Sequence, residues 1–98
     1  MAIRNFKNKG SEDINYGRPS KDSDRILPKE LHRKAQIKLA RLAAATSLRD
    51  LQEFRGNRCE NLKGHRKGQY SIRINDQYRN CFKWEKENVS DVEITDYH

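Results

Sequence analysis

Ninety-eight residues, 34% of them hydrophobic and 36% charged, are enough for one modest core and leave little for a second folding unit, so a single domain over residues 1–98 is expected. The 21 Lys and Arg against 14 Asp and Glu give a net charge of +7, which favours an anionic partner, whether nucleic acid, an acidic membrane surface or an acidic protein. No apolar run is long enough to span a bilayer, and Met1-Ala2-Ile3-Arg4 lacks the apolar core of a secretory signal, so a cytosolic protein with no membrane partner is expected.

In chain order, Ala2 to Lys7 reads as a first short strand carrying Ile3 and Phe6, and Ser11 after Gly10 is placed to cap a brief helical turn. Gly17 to Asp24, rich in Gly, Pro, Ser and Asp, reads as a mobile loop. Pro28 suits the first turn of a helix, and Leu31, Ala35, Leu39, Leu42 and Thr46 recur at helical spacing, which predicts a long helix from Pro28 to Ala45. Beside that stripe Lys34, Lys38 and Arg41 line up as a solvated face. Leu48 and Leu51 mark a short packed turn, and Gly56-Asn57 breaks the chain before a short extended segment from Arg58 to Lys63. Cys59 and Cys81 lack metal-ligand spacing and read as reduced structural thiols.

Gly64 and Gly68 frame a turn, after which Tyr70, Ile72 and Ile74 alternate with Ser71, Arg73 and Asn75 as in a half-buried strand. The tight Asn75-Asp76-Gln77 connection returns Tyr78 to Glu85 antiparallel, and Glu87-Asn88 supplies a second turn into a last strand with Val92 and Ile94. The even positions Ile72, Ile74, Phe82, Val92 and Ile94 form the side that packs on the long helix. The odd positions place Ser71, Arg73, Arg79, Lys83, Thr95 and Tyr97 on the opposite face, with Lys63 just upstream of the hairpin.

Such a face is either the ordinary polar side of a one-sided sheet or a surface that holds a phosphate backbone by charge and stacks a base on an aromatic ring. Pattern alone favours the first, and the mainly cationic character and the Tyr97-His98 terminus speak for the second. The residue types match an RNA cleavage without a metal or cofactor. A base takes the proton of the ribose 2′-hydroxyl, cations stabilise the phosphorane, and an acid protonates the leaving 5′-oxygen. His98 is the member of this cluster whose ordinary pKa lies near neutrality, and Tyr97 shares the proton work if nearby cations lower its pKa. His65, between Gly64 and Gly68, is either an RNA contact or a solvated turn residue. No Cys/His cluster for zinc, no helix-borne metal triad and no Gly-rich phosphate loop is present in the sequence.

The segments Asn57 to Gly64, Gly68 to Arg79 and Val92 to His98, with Leu27 to His32 and Leu42 to Leu51 upstream, resemble the HigB killer proteins of the RelE/ParE toxin superfamily. The resemblance covers the chain from about Leu27 onward and much less of the residues before it. It implies a compact RelE-like α+β fold: a small, mostly antiparallel sheet with an N-terminal strand, and one long and one short helix on one face. It also implies the toxin of a type II toxin-antitoxin pair that cleaves mRNA in the decoding site of the ribosome. Its partner would be a HigA-like helix-turn-helix antitoxin, through which it would contact operator DNA indirectly.

By position, the resemblance implies a catalytic set of Lys63, Arg73, Arg79, Tyr97 and His98, with Lys83, Arg58 and His65 as RNA-binding residues. Some members of the family carry a histidine three residues before the lysine, where this chain has Glu60. Glu60 either replaces it as a base or forms an ion pair with Arg58 or Arg79. Two other activities fit the same fold, a ParE-like inhibition of DNA gyrase and a basic nucleic-acid-binding module without catalysis.

Overall fold

The computed structural model describes residues 2–53, 55–85 and 88–96. Two helices form early in the chain because short polar side chains stand where a helix start needs them. Asn8 caps α1 (Lys9–Asn15) by accepting the Ser11 amide at 2.9 Å, so the expected cap Ser11 sits one turn position inside. Its hydroxyl instead accepts the Ile94 amide at 2.9 Å and ties the helix to the last strand. Ser20 and Ser23 form a reciprocal capping box that starts α2 (Lys21–Ile26). The polar stretch read as a loop therefore becomes a helix from Lys21 onward. The two helices approach so closely that a Cβ on Gly10 would lie 2.2 Å from Ile26 Cδ1 and 2.6 Å from the Asp22 carbonyl oxygen.

After a 3-10 turn at Lys29–Leu31 comes α3 (His32–Ala44), rich in the strong helix formers Ala, Leu, Lys, Arg and Gln. Ala35, Leu39 and Leu42 are fully buried, but the stripe stops there. Thr46 is exposed beyond the helix, where its amide and hydroxyl donate to Asp50 at 2.8 and 2.7 Å. These bonds lead into α4 (Leu48–Glu53), whose Leu51 is buried. The described residues thus hold four α-helices where one long and one short were expected. No helix among them is long and apolar enough to cross a membrane.

The sheet comprises β1 (Ala2–Ile3), β2 (Glu60–Asn61), β3 (Gln69–Arg73), β4 (Tyr78–Glu85) and β5 (Asn88–Asp96), in the spatial order β1-β5-β4-β3-β2. The last four strands pair antiparallel, and β1 runs parallel to β5. This is the expected α+β, RelE-like arrangement of a small, mostly antiparallel sheet with an N-terminal strand. Ile72, Ile74, Phe82, Val92 and Ile94 all fall in the buried cluster with Ile14, Leu27, Leu39 and Leu42, as their alternation required. Glu87 lies outside the described residues, and Asn88 already belongs to β5.

A bulge breaks the simple period of β5. Cys81 pairs with Glu93 but Lys83 pairs with Ser90, so Asp91 and Val92 together oppose Phe82. Asp91 takes a positive φ of 51°, and the extra residue shifts parity, so that Val89 and Val92 are both fully buried although three apart. Asn5 secures the bulge by accepting the Asp91 amide at 3.0 Å and donating to its carboxylate at 2.8 Å. This detour shortens the first strand. Pairing of the N-terminal segment continues past Ile3 only as a bridge between Phe6 and Val92, and the expected strand to Lys7 is not formed.

Candidate functional site

Register places Arg73 of β3 directly opposite Arg79 of β4, and Arg79 opposite Thr95 of β5. Directly opposed Cβ atoms on neighbouring antiparallel strands stand about 5 Å apart, and two like charges there repel. Carboxylates relieve that repulsion. Arg73 donates to Asp76, which is almost fully exposed in the hairpin turn. Arg79 Nη1 lies 3.6 Å from Glu60 Oε1, so Glu60 takes the ion-pair role foreseen for it, with Arg79 as the partner.

The face carrying these residues is less open than a solvent side would be. Arg79 is 7% exposed and donates through Nε to Ser71 Oγ at 2.7 Å and through Nη2 to the Arg58 carbonyl. Ser71 and Cys81 are fully buried. Arg66, from the 3-10 turn Gly64–Arg66, folds over this side and donates to Glu93 at 2.9 Å and Gln69 at 3.1 Å. Burial pushes the thiols of both Cys59 and Cys81 up from the ordinary value, so both are held as protonated thiols rather than nucleophiles.

The remaining sequence candidates lie in different places. Lys83 is exposed four residues along β4 from Arg79, roughly 13 Å at strand rise, and pairs with Asp91 in the bulge at 3.2 Å. It does not join the arginine pair. Arg58 is exposed with a positive φ of 42°, and its contribution to the arginine site is its carbonyl. Lys63 and His65 are exposed beyond the end of β2, whose ladder runs from Glu60 opposite Ser71 to Asn61 opposite Tyr70. That end is on the order of 10 Å along the sheet from Arg73, and Lys63 and His65 lie farther on. Tyr97 and His98, expected in the catalytic set, lie outside the described residues.

Two residues of the site neighbourhood escaped sequence reading. Lys38, expected on a solvated helix face, is 6% exposed, and its Nζ donates to Asn57 Oδ1 at 2.8 Å. Asn57 is fully buried and in turn donates to the Leu51 carbonyl at 3.1 Å. This pair holds the segment whose next carbonyl, that of Arg58, receives Arg79. Burial first, and then the nearby Arg41, Lys34 and Arg73 charges, lower the Lys38 pKa from its ordinary value. The helical wheel does hold a signal: Lys38, three residues after Ala35 and four before Leu42, borders the apolar stripe, whereas Lys34 and Arg41 lie farther round the helix.

Comparison with known proteins bears on what these residues serve. Over 60 residues the chain is 43% identical to Toxin HigB-1 of Vibrio cholerae serotype O1, a stretch covering 61% of this chain and 63% of that protein. A family model for the HigB-like toxin, described as the RelE-like toxin of type II toxin-antitoxin system HigB, matches residues 4–98. With a match that runs through every helix and through β2 to β5, the chain belongs to the HigB-like family of RelE-like type II toxins.

Proposed function

We propose that this toxin is an endoribonuclease that cleaves mRNA on the ribosome, in the decoding site, with Arg73 and Arg79 receiving the scissile phosphate. The cross-strand arginine pair carries this reading. Its charges repel each other and are balanced by side chains that an incoming phosphate can replace, most readily the exposed Asp76. A phosphoryl group entering there gains charge-assisted hydrogen bonds and strengthens them as charge develops on the phosphorane. Tyr97 and His98 are the groups proposed for proton transfer, one taking the 2′-hydroxyl proton and the other returning a proton to the leaving 5′-oxygen. Lys63, expected in the catalytic set, stands apart from the arginine pair and is assigned with Lys83, Arg58 and His65 to the RNA backbone on either side.

The partner of a type II toxin is an antitoxin. We assign a HigA-like helix-turn-helix protein to that role, with operator DNA reached only through it. Purified protein added to a translating extract, followed by primer extension on a defined message, tests the reaction. New 5′ ends inside the reading frame are expected, and Arg73→Ala should reduce them by roughly 100-fold or more. Absence of such ends with the wild-type protein sinks the nuclease assignment. Inhibition of gyrase supercoiling in its place would favour the ParE-like activity.

A further inference from the structure

Beyond the end of β2 lies a cavity of about 420 Å³ lined by Asn61, Lys63, Gly64, Lys67 and Tyr70 among others. Tyr70 is half-buried, and its ring stacks on the fully buried Phe82 with centroids 6.3 Å apart and planes 27° from parallel. That packing holds the ring in place as a wall. Lys63 and Lys67 stand exposed on the rim, and among the described residues neither forms an ion pair. Arg66 between them is already engaged by Glu93 and anchors the turn. Gly64 and Gly68 adopt positive φ, and a Cβ at either would meet nothing within 4 Å, so the mouth is open.

A fixed aromatic wall, an amide side chain and two unneutralised ammonium groups around an open cavity match one ligand class. A base stacks on the ring, its edge meets an amide that both donates and accepts, and a phosphate sits between the lysines. An acidic peptide would use the lysines and leave the ring and amide idle. We propose that this cavity is a single-nucleotide subsite for single-stranded RNA, with the base on Tyr70 and the phosphate between Lys63 and Lys67. The inference deepens the nuclease reading and rests on its RNA substrate. Tyr70, paired with Phe82, lies on the helix side of the sheet, opposite Arg73 and Arg79, so the RNA reaches this subsite around the β2 edge, several nucleotides from the one presented to the arginines.

Titration of the isotope-labelled full chain with 5′-AMP and with a short oligoadenylate, followed by amide NMR shifts, tests it without requiring turnover. Saturable shifts of the Lys63 to Tyr70 amides are expected. Lys67→Gln and Tyr70→Leu should each weaken binding by about fivefold or more, while Lys21→Gln on α2 leaves it unchanged. If Tyr70→Leu disturbs the packing on Phe82, the exposed Lys67→Gln carries the test. Shifts that are absent, confined to the Arg73 and Arg79 strands, or unaltered in Lys67→Gln overturn the subsite, as does equal affinity for adenosine lacking its phosphate. Primer extension reports separately. Cleavage without nucleotide binding at this cavity removes the subsite alone, and binding without cleavage removes the nuclease reading alone.

Discussion

The buried Lys38–Asn57 pair sets a stability test with a definite size. Asn57→Ala removes the 2.8 Å bond from the Lys38 ammonium and the 3.1 Å bond to the Leu51 carbonyl, both at buried positions. A hydrogen bond to a charged group contributes about 2 kcal/mol and a neutral one about 1 kcal/mol, so the variant should lose about 3 kcal/mol. For a domain of this size that is a fall in Tm of roughly 12–24 °C. Lys38→Met should cost less, because it also removes the burial penalty and the repulsion from Arg41, Lys34 and Arg73 that lower the lysine pKa. The double variant should cost less than the sum of the singles by at least about 1 kcal/mol, since each single leaves the other group unpaired. Denaturant unfolding followed by circular dichroism measures all three. An Asn57→Ala loss below about 1 kcal/mol, or strict additivity, would refute the reasoning. The pH dependence has a fixed sign. With its folded pKa below the ordinary 10.5, Lys38 binds fewer protons in the native than in the unfolded state, so wild-type stability gains as pH rises toward that value. Lys38→Met should lose this gain.

Other outcomes follow from the same structure. Asn80 is fully buried in the row between Ile72 and Ile94, and neither amide atom has a hydrogen-bond partner among the described residues. Asn80→Leu should therefore raise stability by about 1–2 kcal/mol in thermal unfolding, and a loss would show that the amide is satisfied. Asp13 is buried and held below its ordinary pKa by hydrogen bonds from Lys9 and Ser20 and by the Lys9 and Arg18 charges. Its contribution is present above pH 3.8 and lost as pH falls through its lowered folded pKa, so the stability gap between wild type and Asp13→Asn should close in acid unfolding. A tag placed after His98 should reduce cleavage more than a tag before Met1. Equal activity of the two proteins would remove the terminus from the proposed chemistry.

Local pattern was sufficient for the long helix and the hairpin because both are written in short-range periodicity. Ala35, Leu39 and Leu42 repeat on one helical face, while Ile72, Ile74 and Phe82 follow strand alternation across a tight turn. The opposition of Arg73 and Arg79 followed from that same hairpin register. The second helix was missed because its signal is a reciprocal Ser20–Ser23 cap inside a turn-like composition, and that composition suits a loop equally well. Of the candidate site, alternation put Arg73 and Arg79 on one side of the sheet, and of the roles left open for Glu60 the ion pair with Arg79 is formed.

By itself, then, the sequence determined an α+β chain with a basic sheet face and membership of a toxin family, through periodicity, charge and motif. Only the tertiary structure decided how each cation is partnered. The bulge at Asp91 draws Lys83 into an ion pair, the Asn57 segment buries Lys38 and receives Arg79, and Glu93 takes Arg66, leaving Lys63 and Lys67 exposed beside Tyr70. Partners distant in the chain set a side chain's burial and pairing, and no local window of sequence contains them.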